Sequence, residues 1–185
     1  MMMMKMKMRV IKIKINYYLN YLKKNNTIKY MIMLLLFTSV NFLFLNLIEY
    51  FIHTLSHNPK IKFLYKPHHS HHLIYSPKNF TRKQYSDNVD DSRLPYLIIL
   101  INSYIFFYYI LTIKYYIIFI IETTTYFYIE NLLHNCYHLD NSFLEKYKWF
   151  KYLKKLHHIH HIEVYKNFNI TIPISDKINN TYNYK

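Results

Sequence analysis

Glycine and alanine are absent from this 185-residue sequence, cysteine occurs once (Cys136), and ten acidic residues stand against 24 lysines and arginines. Without glycine there is no Gly-rich loop to bring backbone N–H groups against a phosphate, so the common nucleotide-binding loops are excluded. A lone cysteine excludes an internal disulfide framework, a CxxC zinc site and a cysteine-held cluster. The scarcity of acids leaves a formal net charge of +14, a balance suited to nucleic acid or to anionic lipid. Here the lysines flank apolar runs, and the aromatic residues sit inside those runs rather than on a basic soluble face. The membrane is therefore the expected partner and nucleic acid is not. Ile, Lys, Asn, Tyr and Phe dominate, as AT-rich codons would give. In such a chain Asn is the residue expected where a fold otherwise needs Gly, because it tolerates left-handed backbone best after Gly.

Two domains are expected. Residues 1–29 carry Lys5, Lys7, Arg9, Lys12, Lys14, Lys23, Lys24 and Lys29 with no acid, which reads as a basic segment lying on anionic lipid. Residues 30–185 form the membrane domain. Tyr30 to Ile48 is apolar except for Thr38, Ser39, Asn41 and Asn46, long enough to cross a hydrocarbon layer of roughly 30 Å. Residues 58–94 are polar, with Pro59, Pro67 and Pro77 as breakers. The apolar stretch from Pro95 to Leu133 is too long for one span. It predicts a helical hairpin, 96–111 out and 115–133 back, turning at Thr112–Lys114. Glu122 and Glu130 fall inside the second arm, where a carboxyl is costly unless it faces protein or a polar site.

All twelve histidines lie in the two segments that this layout places on one side. His53 and His57 are the first pair, and His68, His69, His71 and His72 the second group. His134 and His138 are the third, and His157, His158, His160 and His161 the fourth. On a helix, positions i, i+3 and i+4 share a face, so each group aims its imidazoles together. Neutral imidazole is the commonest metal ligand and suits iron, zinc, copper and nickel. Ten ligands, His53, His57, His68, His71, His72, His134, His138, His157, His160 and His161, are too many for one ion but allow five for each of two. His69 and His158 are supernumerary and are expected to support or tune the ligands. Glu130, four residues before His134, either orients a ligand imidazole or caps a polar helix end. A His-rich metal store would place its histidines in loops, whereas these sit at span ends in a fixed order.

The order H-x-x-x-H, H-x-x-H-H, H-x-x-x-H, H-x-x-H-H around a hairpin resembles the fatty acid hydroxylase superfamily of membrane di-iron proteins, which includes fatty acid 2-hydroxylases and sterol desaturases. Glu49-Tyr50-Phe-Ile-His53 looks like that family's first box. Asn167-Phe168-Asn169, then Asp176 and Asn180-Thr181, look like its ending, with Asn169 and Asn180 where Gly is usual and Ser175 where Trp is usual. The resemblance implies an all-α integral membrane helical bundle of about three to four membrane helices with a cytosolic histidine-lined di-metal cap. It implies two iron ions, with zinc as a substitute on purification, and a lipid C–H bond hydroxylated or desaturated with O2. Electrons would come from a cytochrome b-type donor and its reductase, in the endoplasmic reticulum or an equivalent membrane. The lysines at 146, 148, 151, 154 and 155 either dock that donor or flank the membrane. The residues leave the lipid open, and a non-catalytic membrane metal-binding protein is the alternative.

A cytosolic histidine face conflicts with the basic N-terminus if 30–48 is a single span. A pair of short helices, 10–22 and 30–48, turning at Lys23–Asn26, is the favoured resolution. The other is that Lys60, Lys62, Lys66 and the lysines of 146–155 outweigh the N-terminal charges.

Overall fold

The computed structural model describes residues 2–85 and 93–185, and leaves aside the side chains of residues 2–11, 13, 18, 19, 22, 23 and 93–96. The end of the polar segment expected over 58–94, the side chains of Lys5, Lys7, Arg9 and Lys23, and the ring of Pro95 thus lie outside the described residues. Helices α1 (Met2–Ser56), α2 (Lys62–Ile74), α3 (Arg93–Ile110), α4 (Ile113–Tyr137), α5 (Lys148–Ile162) and α6 (Ile174–Ile178) follow one another. No strand occurs among the described residues, and a single bridge pairs Arg82 with Leu139. The fold is all-α.

Two compact units divide the chain, Met1–Val40 and Asn41–Lys185. In the first, the side chains from Tyr30 to Leu36 are apolar and exposed, as lipid-facing residues would be. Lys24–Ser56 is long and apolar enough to cross a membrane, and Leu97–Ile110 is apolar but shorter.

The expected turn at Lys23–Asn26 is absent, since α1 is unbroken from Met2 to Ser56. Lys and Asn cost a helix only a few tenths of a kcal/mol relative to the best formers, and neither Gly nor Pro interrupts the sequence before Pro59. α1 stops just ahead of Asn58-Pro59, where the ring disfavours helical backbone in the preceding residue. Pro67, expected to break the chain, lies inside α2. It removes one backbone bond, a cost of roughly 3 kcal/mol or more, and the helix survives by burying Leu64 and His71. The hairpin turns at Leu111–Thr112, and its second arm continues through Tyr137, so the third histidine pair extends a helix rather than opening a loop.

Within the second unit a small apolar core of Phe80, Leu133, Cys136, Tyr137, Phe150 and Ile170, flanked by Leu144 and Leu153, joins the end of α4 to α5 and the C-terminal segment. That segment, residues 167–183, is held by polar contacts. Asp176 accepts the backbone N–H groups of Phe168 and Asn169, both at 2.8 Å, and the Thr181 hydroxyl at 2.7 Å. Glu49 of α1 accepts the N–H groups of Ile170 and Thr171 and the hydroxyls of Thr171 and Tyr126. Asn46, one turn earlier, accepts from the Ser175 backbone N–H and hydroxyl and donates to the Ile172 carbonyl. Asn180 has φ 58°, as its place at a Gly position predicts. Asn169 is not among the positive-φ residues. Its side chain instead donates to the Asn46 carbonyl and accepts from Asp176 N–H. Asn167, φ 53°, takes the left-handed backbone in its place.

Candidate metal centre

Four helices bring the histidines together. His53 ends α1 and His57 follows it. His68, His71 and His72 stand on α2, His134 lies in the last turn of α4 with His138 as its cap, and His157, His160 and His161 stand on α5. The side-chain nitrogens form two groups in which all ligand atoms lie within 4.8 Å of one another: His53, His57, His68, His72 and His160 in one, and His71, His134, His138 and His157 in the other. His161, buried, brings its Nε2 to 3.1 Å from that of His157 and so adjoins the second group.

Short Nε2···Nε2 separations run through both groups: His68–His57 at 2.9 Å, His72–His68 at 3.0 Å, His57–His160 and His160–His72 at 3.2 Å, and His138–His157 at 3.0 Å. Neutral hydrogen bonds cannot satisfy all of these contacts at once. The Nδ1 of His160 donates to the Lys166 carbonyl (2.8 Å), that of His138 to Phe80 (2.8 Å), that of His161 to Tyr75 (2.6 Å), and that of His53 to Phe168. A neutral imidazole with its proton on Nδ1 has only a lone pair at Nε2. His160 therefore turns a lone pair toward two neighbours and can donate to neither. A cation between the rings removes that conflict, and nitrogens about 2.1 Å from an ion at right angles would be roughly 3.0 Å apart. His53 Nε2 and His71 Nε2 are buried with no protein partner, as atoms reserved for a metal would be. The donor set thus fits two ions of a metal that accepts imidazole.

Electrostatics holds the rings in the ligating form. Burial, reinforced by neighbouring imidazoles, pushes His68, His71, His72, His157, His160 and His161 well below the ordinary histidine range. Burial also pushes His57 and His138 down to about 3. Metal does not have to displace a proton from such rings near neutral pH.

The supernumerary residues stand apart. His69 is exposed and stacks on Tyr65 at 5.1 Å. His158 packs against Phe80 and reaches the Pro77 carbonyl at 3.5 Å. Neither belongs to a group. Glu130 makes no hydrogen bond to a described imidazole, and it lines a cavity instead. The groups that orient the rings are backbone carbonyls. No pattern of side chains announces these, because every residue carries one.

That cavity, about 400 Å³, lies among α1, α3 and α4 and reaches both groups. His53, His68, His71 and His134 line one part of it, and Phe44, Leu45, Leu97, Leu100, Phe119 and Phe127 the rest. Its size is that of a small-molecule or lipid-tail site.

Residues 38–181 match the family model described as fatty acid hydroxylase. No curated protein and no solved structure matches the chain.

Proposed function

Because the chain belongs to the fatty acid hydroxylase family, we propose that it is a membrane-bound di-iron oxygenase that hydroxylates or desaturates a lipid C–H bond with O2 and two electrons. The family is one of metal-dependent, membrane-associated lipid hydroxylases. One observation carries the finer assignment: an apolar cavity ends on two groups of converging, neutral histidines. His53, His57, His68, His72 and His160 would hold one ion, and His71, His134, His138, His157 and His161 the other. Bound iron supplies the activation of oxygen, the part of the chemistry no side chain here can perform.

The protein's share is geometry and exclusion of water. Carbonyls of Phe168, Tyr75, Phe80 and Lys166 fix the tautomer and orientation of four ligands, a role known to sharpen metal affinity. The aromatic and aliphatic walls take the lipid tail and keep solvent from the reacting carbon. Glu49, Asn46 and Asp176 hold the C-terminal segment down, and with it the carbonyl that orients His53.

Electrons come from a cytochrome b-type donor and its reductase. The exposed Lys148 and Lys151 are available to an acidic partner, whereas Lys154 is engaged by Glu145 at 2.5 Å and the Leu139 carbonyl at 2.8 Å. The histidine face is cytosolic, on the endoplasmic reticulum or an equivalent membrane. With α1 unbroken, the lysines around the histidine-bearing segments set that orientation.

Expression in hydroxylase-deficient yeast, followed by mass spectrometry of total lipids, tests the assignment. A lipid heavier by one oxygen identifies a hydroxylase, and one lighter by two hydrogens a desaturase. A metal-loaded chain with an electron donor and no oxygen-dependent product is the non-catalytic metal binder.

A further inference from the structure

On the reading that both histidine groups bind metal, we propose that His69 is a capture site for the incoming ion. It stands at the aqueous mouth of the first group, whose ion exchanges with solvent faster than that of the second.

The two groups open in different directions. In the second, His71, His138, His157 and the adjoining His161 are buried. Its half-buried member, His134, lines the cavity, as His71 does, so an ion there meets the outside only through the lipid site. In the first group His57 and His72 are half-buried, and neither lines the cavity. Their open surface therefore faces outward, away from the lipid.

His69 lies at that opening. It precedes His72 by three residues on α2, a spacing that puts two imidazoles on one face, and it is near enough to His57 for their charged forms to repel. Its exposed ring lies flat against Tyr65, one turn earlier, at 5.1 Å. Stacking holds the face of the ring and leaves its nitrogens at the edge, where neither has a hydrogen-bond partner among the described residues. The other supernumerary ring, His158, is instead packed on Phe80 and turned to the Pro77 carbonyl. Between Glu49 and Asp87 the sequence has no acid. No carboxylate of this stretch draws a cation in, and Lys60, Lys62 and Lys66 oppose it, so an imidazole free of other partners is the ligand it offers. His72 Nε2 is 3.0 Å from that of His68 and 3.2 Å from that of His160. An ion shared by His69 and His72 thus enters the group by exchanging one imidazole at a time. A ligand used only in transit speeds loading and release equally, by microscopic reversibility, and leaves the affinity unchanged.

The test is exchange of Zn2+, which takes imidazole and does no redox chemistry, between the purified, detergent-solubilised full chain and a chromophoric chelator. The wild type loaded with two ions should release them in two phases of one ion each. His57→Ala should lose the fast phase and keep the slow one. His69→Ala, a change at an exposed ring that leaves the helix packing intact, should slow loading and release of the fast ion about tenfold, the effect of removing one supporting ligand. Two ions should still bind at equilibrium. His158→Ala should leave both rates unchanged. Release of two ions in a single phase, a fast phase that His69→Ala leaves at the wild-type rate, or one that His158→Ala slows equally, overturns the inference and leaves the metal centre standing. So does a His69→Ala chain that binds less metal, since His69 would then be an ordinary ligand. A wild type that binds fewer than two Zn2+ ions overturns both.

Discussion

Replacing Asp176 by Ala removes the acceptor for two buried backbone N–H groups and one hydroxyl, at 2.8, 2.8 and 2.7 Å. Asp176 is itself fully buried, so water does not readily take its place. Hydrogen bonds to a carboxylate are worth ~1.5–3 kcal/mol each, and an abandoned buried donor costs a comparable amount. The two N–H groups alone therefore set a loss of ~3–6 kcal/mol, against a total stability of ~5–15 kcal/mol for a domain. In a chain of this size that lowers the melting temperature by at least roughly 6 °C. The same change frees the segment whose Phe168 carbonyl orients His53, so bound metal should fall as well. Asp176→Asn keeps one acceptor oxygen and turns the other toward Asn169 N–H as a donor, so its loss should be smaller. Thermal unfolding of the detergent-solubilised protein, with metal analysis of the same samples, measures both effects. A wild-type melting temperature and metal content in Asp176→Ala would refute the role given to the C-terminal segment.

Two further predictions concern the metal-free protein and the backbone. The folded values of His57 and His138, at about 3, lie below the unfolded value of about 6.5. The unfolded chain thus takes up protons first as pH falls. The stability these rings contribute is complete above about pH 6.5 and declines below it, by ~1.4 kcal/mol per ring at about pH 5.5. Denaturant titrations of the metal-free chain at about pH 7.5 and 5.5 should show that loss, and equal midpoints would contradict it. At Asn180, φ 58°, Gly should be tolerated without loss, whereas Ala should cost ~1–2 kcal/mol. An Ala variant as stable as the Gly variant would show that the left-handed backbone there carries no strain.

The histidine centre was legible because its code is local. Spacings of three and four put His68 with His71 and His72, and His157 with His160 and His161, on single helix faces, and the apolar hairpin folded the remote groups together. The C-terminal clamp was half legible. Asn46, Glu49, His53 and Ser56 repeat at three, four and three along α1 and are all buried, so they mark one polar face on an apolar helix. Asn46, taken alone, reads only as an interruption of a span. Its partners, Ile172 and Ser175, are more than a hundred positions away, beyond the reach of any periodicity. The unbroken α1 and the interior Pro67 depart from the sequence expectation for opposite reasons. A turn needs a residue that actively leaves the helix, and Lys23–Asn26 contains none. A helix can carry one proline when its buried face outweighs a lost bond. Glu130 reads as costly inside an apolar helix, but only the structure shows that it lines a cavity.

Metal content per chain, measured on the purified wild type and on His57→Ala and His138→Ala, tests the central claim most directly, since these rings belong to different groups. Two ions are predicted for the wild type, with content falling in each variant. A wild type that takes up one ion or none under saturating iron, or two variants that both keep the wild-type content, would contradict the two-centre account.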